Sequence, residues 1–264
     1  MQLARVIDKD GRQICVARQS EGRLVRIKAA SLFEKPELTE EEIVPKRWLA
    51  PVEPRAILCI GVNYKAHAEE GGHSVPDYPV LFLKNPAAAI GHNEPICLPS
   101  VCEDEVDYEG ELVVVIGKIC RNVSKQEALD YVMGYTIAND VSARIWQMDK
   151  GGSQWCRGKS FDTFAPMGPA LVTPDELPDP NKLSIETRLN NKIVQQDNTA
   201  NMIFDVPTLI SFLSQDTTLL PGTVILTGTP QGVGWVRIPK CLLRSGDTVS
   251  VTIEKIGTLT NRVK

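Results

Sequence analysis

The sequence predicts an α+β protein that is mainly β, with a β-rich core, peripheral helices and a small N-terminal β unit. Three observations predict it. From Arg55 onward the chain is a succession of short apolar runs separated by Gly, Pro and Asn, with few stretches of helical period. Several of these runs are apolar throughout, as strands buried on both faces are. The first fifty residues carry two short apolar runs on either side of a glycine-containing turn, the pattern of a hairpin.

Taken in order, residues 3–7 and 13–17 flank Asp8-Lys9-Asp10-Gly11-Arg12, and a third short strand covers 23–27. The polar passage 34–46, with Pro36 and Pro45, reads as a linker with one helical turn. This places a domain boundary near residue 50, with a small β domain and linker at 1–50 and the main domain at 51–264. Strands are expected at 56–60, 111–117, 133–138, 169–172, 184–190, 223–227 and 248–254. Helices are expected at 62–70, at 124–132, where Ser124 and Glu127 form a capping box, and at 205–213.

Composition narrows the class. No run approaches the roughly eighteen apolar residues of a membrane span, so no membrane role is expected. A net charge of −4, with no Lys/Arg cluster interleaved with aromatics, argues against a nucleic-acid partner. Seven scattered cysteines without a C-x-x-C suggest neither a disulfide framework nor a thiolate zinc site, which fits a reducing compartment. Residues 1–5 hold no secretory apolar segment, and Asp8 and Asp10 argue against a transit peptide. The cytosol is the expected location, although a chain relieved of a mitochondrial leader would read the same.

The most informative stretch is 107–117, where alternating acids run into an unbroken apolar segment. On a strand, Glu109 and Glu111 project to the same side, about 7 Å apart. Asp140 follows another apolar run, 132–139, and makes a third carboxylate. Such acids can bind a hard cation, Mg²⁺ or Mn²⁺, through oxygen; they can equally be a solvated acidic edge spanning 103–111, and the residues leave both readings open. His67 and Glu70 lie at i, i+3 on a helix, either a base with its orienting carboxylate or a commonplace exposed pair. The glycine-rich segment 71–77 reads as a lid or simply as a mobile loop. Lys159 is either a cation for a developing enolate or a solvated lysine. The loop 227–234 offers backbone N–H groups and the Thr229 hydroxyl to a carboxylate, and it lacks the Lys-Ser/Thr of a P-loop. His73 and His92 have no partner visible in the sequence.

Five motifs then occur together: Gly61-Val62-Asn63-Tyr64 with His67 and Glu70, Asp107-Tyr108-Glu109-Gly110-Glu111-Leu112, Asn139-Asp140-Val141-Ser142-Ala143-Arg144, Gly158-Lys159-Ser160-Phe161-Asp162 and Thr227-Gly228-Thr229-Pro230. In this order they resemble the fumarylacetoacetate hydrolase family. The resemblance covers residues 55–264, and the preceding segment is similar to the short N-terminal domain of the domain-containing-protein-2 subgroup. It implies a mixed β-sheet roll, a homodimer, and one Mg²⁺ or Mn²⁺ bound through Glu109, Glu111 and Asp140. It also implies that His67 and Glu70 are a water-activating dyad on a lid and that Lys159 stabilises an enolate. Gln147 and Thr229 would contact substrate, with Arg144 beside them. Two departures stand out: Val62 and Ile145 occupy positions where many members carry an arginine and an acid.

The chemistry implied is that of a small 2-oxo or β-diketo acid passing through a metal-bound enolate. The expected reactions are C–C hydrolysis of an acylpyruvate or decarboxylation of oxaloacetate. Keto–enol tautomerisation of oxaloacetate is an alternative, and a non-catalytic binding protein that keeps the fold is another.

Overall fold

A computed structural model describes residues 1–19 and 22–264. The first hairpin forms where its turn residues demand: Gln2–Ile7 and Gln13–Arg18 pair antiparallel, and the Asp8 carboxylate accepts the Asp10 and Arg12 backbone N–H groups at 2.9 and 2.8 Å. Leu24–Ile27 adds a third strand. The passage expected as a linker with a helical turn contains instead a fourth strand, Leu38–Glu42, paired with Leu24–Ile27. It is an edge strand, so its glutamates stay in water while its backbone pairs on one side only, and no apolar alternation reveals it.

Gln2–Ile7 also pairs with Ala165–Val172, placing Leu3 opposite Leu171, so the N-terminal strands continue into one twelve-stranded sheet. Beyond Ala165–Val172 come, side by side, Val132–Asn139, Gly110–Ile116, Thr223–Leu226, Ala56–Gly61 and Val80–Lys84. Neighbours along this path are antiparallel except Thr223–Leu226 and Ala56–Gly61, which run parallel. A four-stranded sheet, Lys192–Asn198, Ser184–Leu189, Thr248–Ile253 and Gly257–Arg262, packs on it. Leu112 and Ile137 from the first sheet meet Val251, Ile253 and Leu259 from the second, all essentially inaccessible. Each such side chain contributes about 1.5–3 kcal/mol of burial.

All seven expected strands form, with shifted ends. The strand expected at 169–172 begins at Ala165 because Pro169 falls at a break in register, where its missing N–H costs no ladder bond. Val80–Lys84, Lys192–Asn198 and Gly257–Arg262 were not expected. The helix expected at 205–213 forms as Val206–Leu213, with Asp205 at its cap accepting the Thr208 N–H at 2.9 Å. The helix expected at 62–70 shortens to Lys65–Glu70, since Val62 sits at φ 54° and the Asn63 side chain is tied to Thr227 and Phe204. At 124–132 the expected capping box does not close: the Ser124 hydroxyl donates to the Glu127 carboxylate at 2.5 Å instead of accepting a backbone N–H, and only one 3₁₀ turn, Ala128–Tyr131, forms before Val132 is drawn into the sheet. All seven cysteines are free, and among the described residues no helix is long and apolar enough to cross a membrane.

Candidate active site

At one end of the large sheet, Ala56–Gly61, Val132–Asn139 and Thr223–Leu226 finish and Gly110–Ile116 begins. The register sets Gly110 opposite Asn139, and the Asp140 N–H donates to the Glu109 carbonyl at 2.8 Å. Glu109 precedes the strand, and its own N–H is held by the Asn139 side chain at 2.9 Å. One oxygen each from Glu109, Glu111 and Asp140 then lie within 4.8 Å of one another. None of the three is more than 5% exposed. The solvated-edge reading therefore fails here, although Glu103 and Asp104 do remain in water.

Buried cations surround these acids. The Lys159 ammonium donates to Glu109 Oε2 and Asp140 Oδ2, both at 2.8 Å, so it is no solvated lysine. Lys84 donates to Asp140 Oδ1 at 2.5 Å and to the Val141 carbonyl at 3.1 Å. Arg144 reaches Glu109 Oε1 at 2.6 Å and holds Asp107 Oδ2 through Nε and Nη2 at 3.0 and 2.8 Å. Burial alone would raise the Glu109 pKa, but Lys159 and Arg144 pull it down to about 2. Burial opposes the charge on Lys159 too, and Asp140 and Glu109 overcome it and raise its pKa. Glu111 differs. Burial, then repulsion from Asp140 and Glu109, pushes its pKa well above the carboxylate range, and the Gly228 N–H at 2.7 Å only partly compensates.

Four buried acids, Asp107, Glu109, Glu111 and Asp140, thus face three buried cations, Lys84, Arg144 and Lys159. The unmatched charge belongs to Glu111. A hard divalent cation takes oxygen ligands at about 2.0–2.6 Å, and oxygens no more than 4.8 Å apart can share such a centre. Each carboxylate oxygen keeps a second lone pair after accepting from lysine or arginine. In donor type, spacing and charge, these residues fit Mg²⁺ or Mn²⁺.

His67 and Glu70 meet as their spacing predicts, Nδ1 to Oε1 at 2.8 Å, with side chains only 17% and 21% exposed. Both Glu70 oxygens also accept the Gly232 N–H, at 3.0 and 2.8 Å, tying the helix to the 227–234 loop. Only glycine serves at 232: φ is 103°, and a Cβ would lie 2.2 Å from the Val194 carbonyl oxygen. With Nδ1–H given to Glu70, Nε2 is left as the basic atom. His67, Glu109, Glu111, Arg144 and Lys159 all line one cavity of about 290 Å³, whose other walls include Phe82, Trp155 and Val233.

The remaining predicted residues divide. Gln147 lines the cavity and accepts from Arg144 Nη1 at 3.0 Å, leaving its amide NH₂ without a protein partner among the described residues. Thr229 lines the cavity as well, and its hydroxyl also donates to the Gly110 carbonyl at 3.0 Å and accepts from Gln195 at 2.8 Å. His92 accepts the Thr260 N–H at 3.1 Å and packs edge-on to Trp48, a structural post. Segment 71–77 is largely exposed.

Two participants went unassigned in the sequence. Lys84 ends a strand in which Phe82 and Lys84 are buried and Leu81 and Leu83 exposed, an alternation that four consecutive apolar residues conceal. Asp107 accepts Arg144 and the Gly234 and Trp235 N–H groups, the latter two at 2.9 Å, anchoring the cavity wall.

A two-sheet β fold that gathers three buried carboxylates beside a histidine–glutamate pair defines a carboxylate-centred enzyme site. Known proteins agree. The profile for the fumarylacetoacetate (FAA) hydrolase C-terminal domain matches residues 56–264. The Xenopus laevis mitochondrial oxaloacetate tautomerase fahd2 is 48% identical over 216 residues, 81% of this chain and 67% of that one. The structure of fumarylacetoacetate hydrolase from psychrophilic Exiguobacterium antarcticum matches with a TM-score of 0.88 at 36% identity, over 100% of this chain and 99% of that one. Fumarylpyruvate hydrolase from Pseudomonas aeruginosa, in complex with Mn²⁺ and pyruvate, matches with a TM-score of 0.73 at 29% identity, over 85% and 92% of the two chains. The chain belongs to the fumarylacetoacetate hydrolase family.

Proposed function

We propose that this chain is a divalent-metal-dependent enzyme of 2-oxo acids and that its reaction is the keto–enol tautomerisation of oxaloacetate. One observation carries the proposal: His67, whose Nδ1 bond to Glu70 leaves Nε2 basic, lines the same small cavity as two of the three clustered acids, Glu109 and Glu111. Glu109, Glu111 and Asp140 would hold Mg²⁺ or Mn²⁺, which when bound acts as a Lewis acid on a 2-oxo group. His67 Nε2 moves the proton at C3, while Glu70 holds the ring in place and stabilises the imidazolium. Lys159 and Arg144 keep Glu109 ionised, and Phe82 and Trp155 keep that wall of the cavity dry. Tautomerisation asks only that a proton pass between oxygen and carbon, with no water consumed and no group expelled. The Xenopus relative, named an oxaloacetate tautomerase, supports this choice and favours the mitochondrion over the cytosol as the compartment.

Hydrolysis of an acylpyruvate, with His67 taking a proton from water, is the second reading. The similarity to the fumarylpyruvate hydrolase complex favours it. Oxaloacetate decarboxylation stands with it. The homodimer belongs to the same proposal and is tested by light scattering. Protein stripped of metal, then reloaded with Mg²⁺, is mixed with oxaloacetate and separately with an acylpyruvate and followed by NMR. Metal-dependent acceleration of enol–keto exchange, without cleavage, is expected. Cleavage or decarboxylation without exchange transfers the assignment to the second reading, and inertness in every assay leaves a binding protein.

A further inference from the structure

Of the cationic or cation-capable side chains lining the cavity, all but one are already engaged. Lys159 serves Glu109 and Asp140, Arg144 serves Asp107 and Glu109, and His67 serves Glu70. His73 lines the same cavity, and its ring has no hydrogen bond or ion pair among the described residues. The end of helix Lys65–Glu70 puts it there. Gly72 takes the left-handed conformation at φ 69°, the Gly72 N–H donates to the Glu69 carbonyl at 3.2 Å, and the His73 N–H donates to the Ala68 carbonyl at 2.9 Å. These are the paired bonds of a Schellman stop, which reverses the chain. A Cβ on Gly71 would lie 2.8 Å from His73 Cδ2 and 3.3 Å from Nε2, so the ring folds back over Gly71, itself part of the cavity wall.

Oxaloacetate carries a second carboxylate, at C4. The acid cluster serves the 2-oxo acid end, and much of the remaining wall is apolar: Val62, Phe82, Trp155, Val233 and Val236. Gln147 offers a neutral amide, which cannot balance a full charge. We propose that His73 grips the distal carboxylate and so selects dicarboxylic over monocarboxylic 2-oxo acids. This rests on the tautomerase reading for its substrate. His67 and His73, six residues apart, then divide the labour: the first moves the proton and the second positions the acid.

The test compares oxaloacetate with 2-oxosuccinamate, its C4 amide, on Mg²⁺-loaded wild-type protein, His73→Leu and His73→Gln. Removing a hydrogen bond to a charged group costs about tenfold in binding. His73→Leu should raise KM for oxaloacetate about tenfold and that for the amide less than twofold, with His73→Gln between. An unchanged oxaloacetate KM in His73→Leu, or an equal rise for both compounds, overturns the proposal. Failure of the tautomerase reading looks different: wild-type protein does not turn oxaloacetate over. The same comparison is then read calorimetrically as dissociation constants of the two compounds, with the same outcomes deciding it.

Discussion

At the floor of the cavity and just beneath it, Glu109 and Lys159, then Asp140 and Lys84, are almost fully buried, and each makes at least two polar contacts held in place by the sheet. At its rim, a helix of six residues carries His67 and ends in a largely exposed glycine-rich segment. The difference teaches how the site divides its tasks. Charges that must stay put are held by the sheet, where moving one would strand another in a low dielectric. His67, the group proposed to exchange a proton, sits on a short helix with solvent beside it, tied to Gly232 through Glu70 and packed inward through Ala68.

The harshest way to break this contrast is Glu109→Ala. Metal binding and turnover should vanish, and stability should fall by about 3 kcal/mol, because Lys159 and Arg144 each lose one buried acid while keeping another. Thermal denaturation and metal titration check it; turnover retained by metal-free protein would refute the ligand assignment. At the rim, His67→Ala should lower kcat for tautomerisation by roughly 10²–10⁴-fold, leaving metal affinity and melting temperature nearly unchanged. A large stability loss there would erase the distinction between floor and rim.

A subtler probe is Glu111. Burial and repulsion from Asp140 and Glu109 raise its pKa, so the metal-free protein keeps a proton on this carboxylate to higher pH than an ordinary carboxylate would, and cation binding favours its loss. Metal affinity should therefore tighten with rising pH, by up to about tenfold per unit below that raised value. Calorimetry in buffers of different ionisation enthalpy would report the released proton; none released means Glu111 is not the group displaced. Linkage runs the other way for the empty protein. An acid whose pKa is raised on folding lends stability that is complete at pH below its unfolded value and is lost as pH climbs through the folded one. Glu111→Gln should thus abolish metal binding, yet make the metal-free protein no less stable at neutral pH. In stability this is the smallest effect of the series and contrasts with the loss expected for Glu109→Ala.

Much of the site was legible in the chain because its parts are local. Glu109 and Glu111 share a side through the two-residue period of a strand, and His67 and Glu70 share a face through the helical period. The strands of the core announced themselves by unbroken apolar runs. The edge strand Leu38–Glu42 did not, since an edge tolerates charge, and neither did the inward alternation of Phe82 and Lys84.

By itself, then, the sequence determined the mainly β class, the order of the core strands along the chain, the acid pair, the histidine–glutamate pair and the family. Tertiary structure alone decided that the acids are buried, that Lys84 meets Asp140 and Arg144 meets Asp107, and that Glu70 is anchored by Gly232. The physical reason is range. Backbone periodicity acts over a few residues and is written locally, whereas the protonation of Glu111 and the partners of Lys84 depend on which distant strands lie alongside and how completely they exclude water.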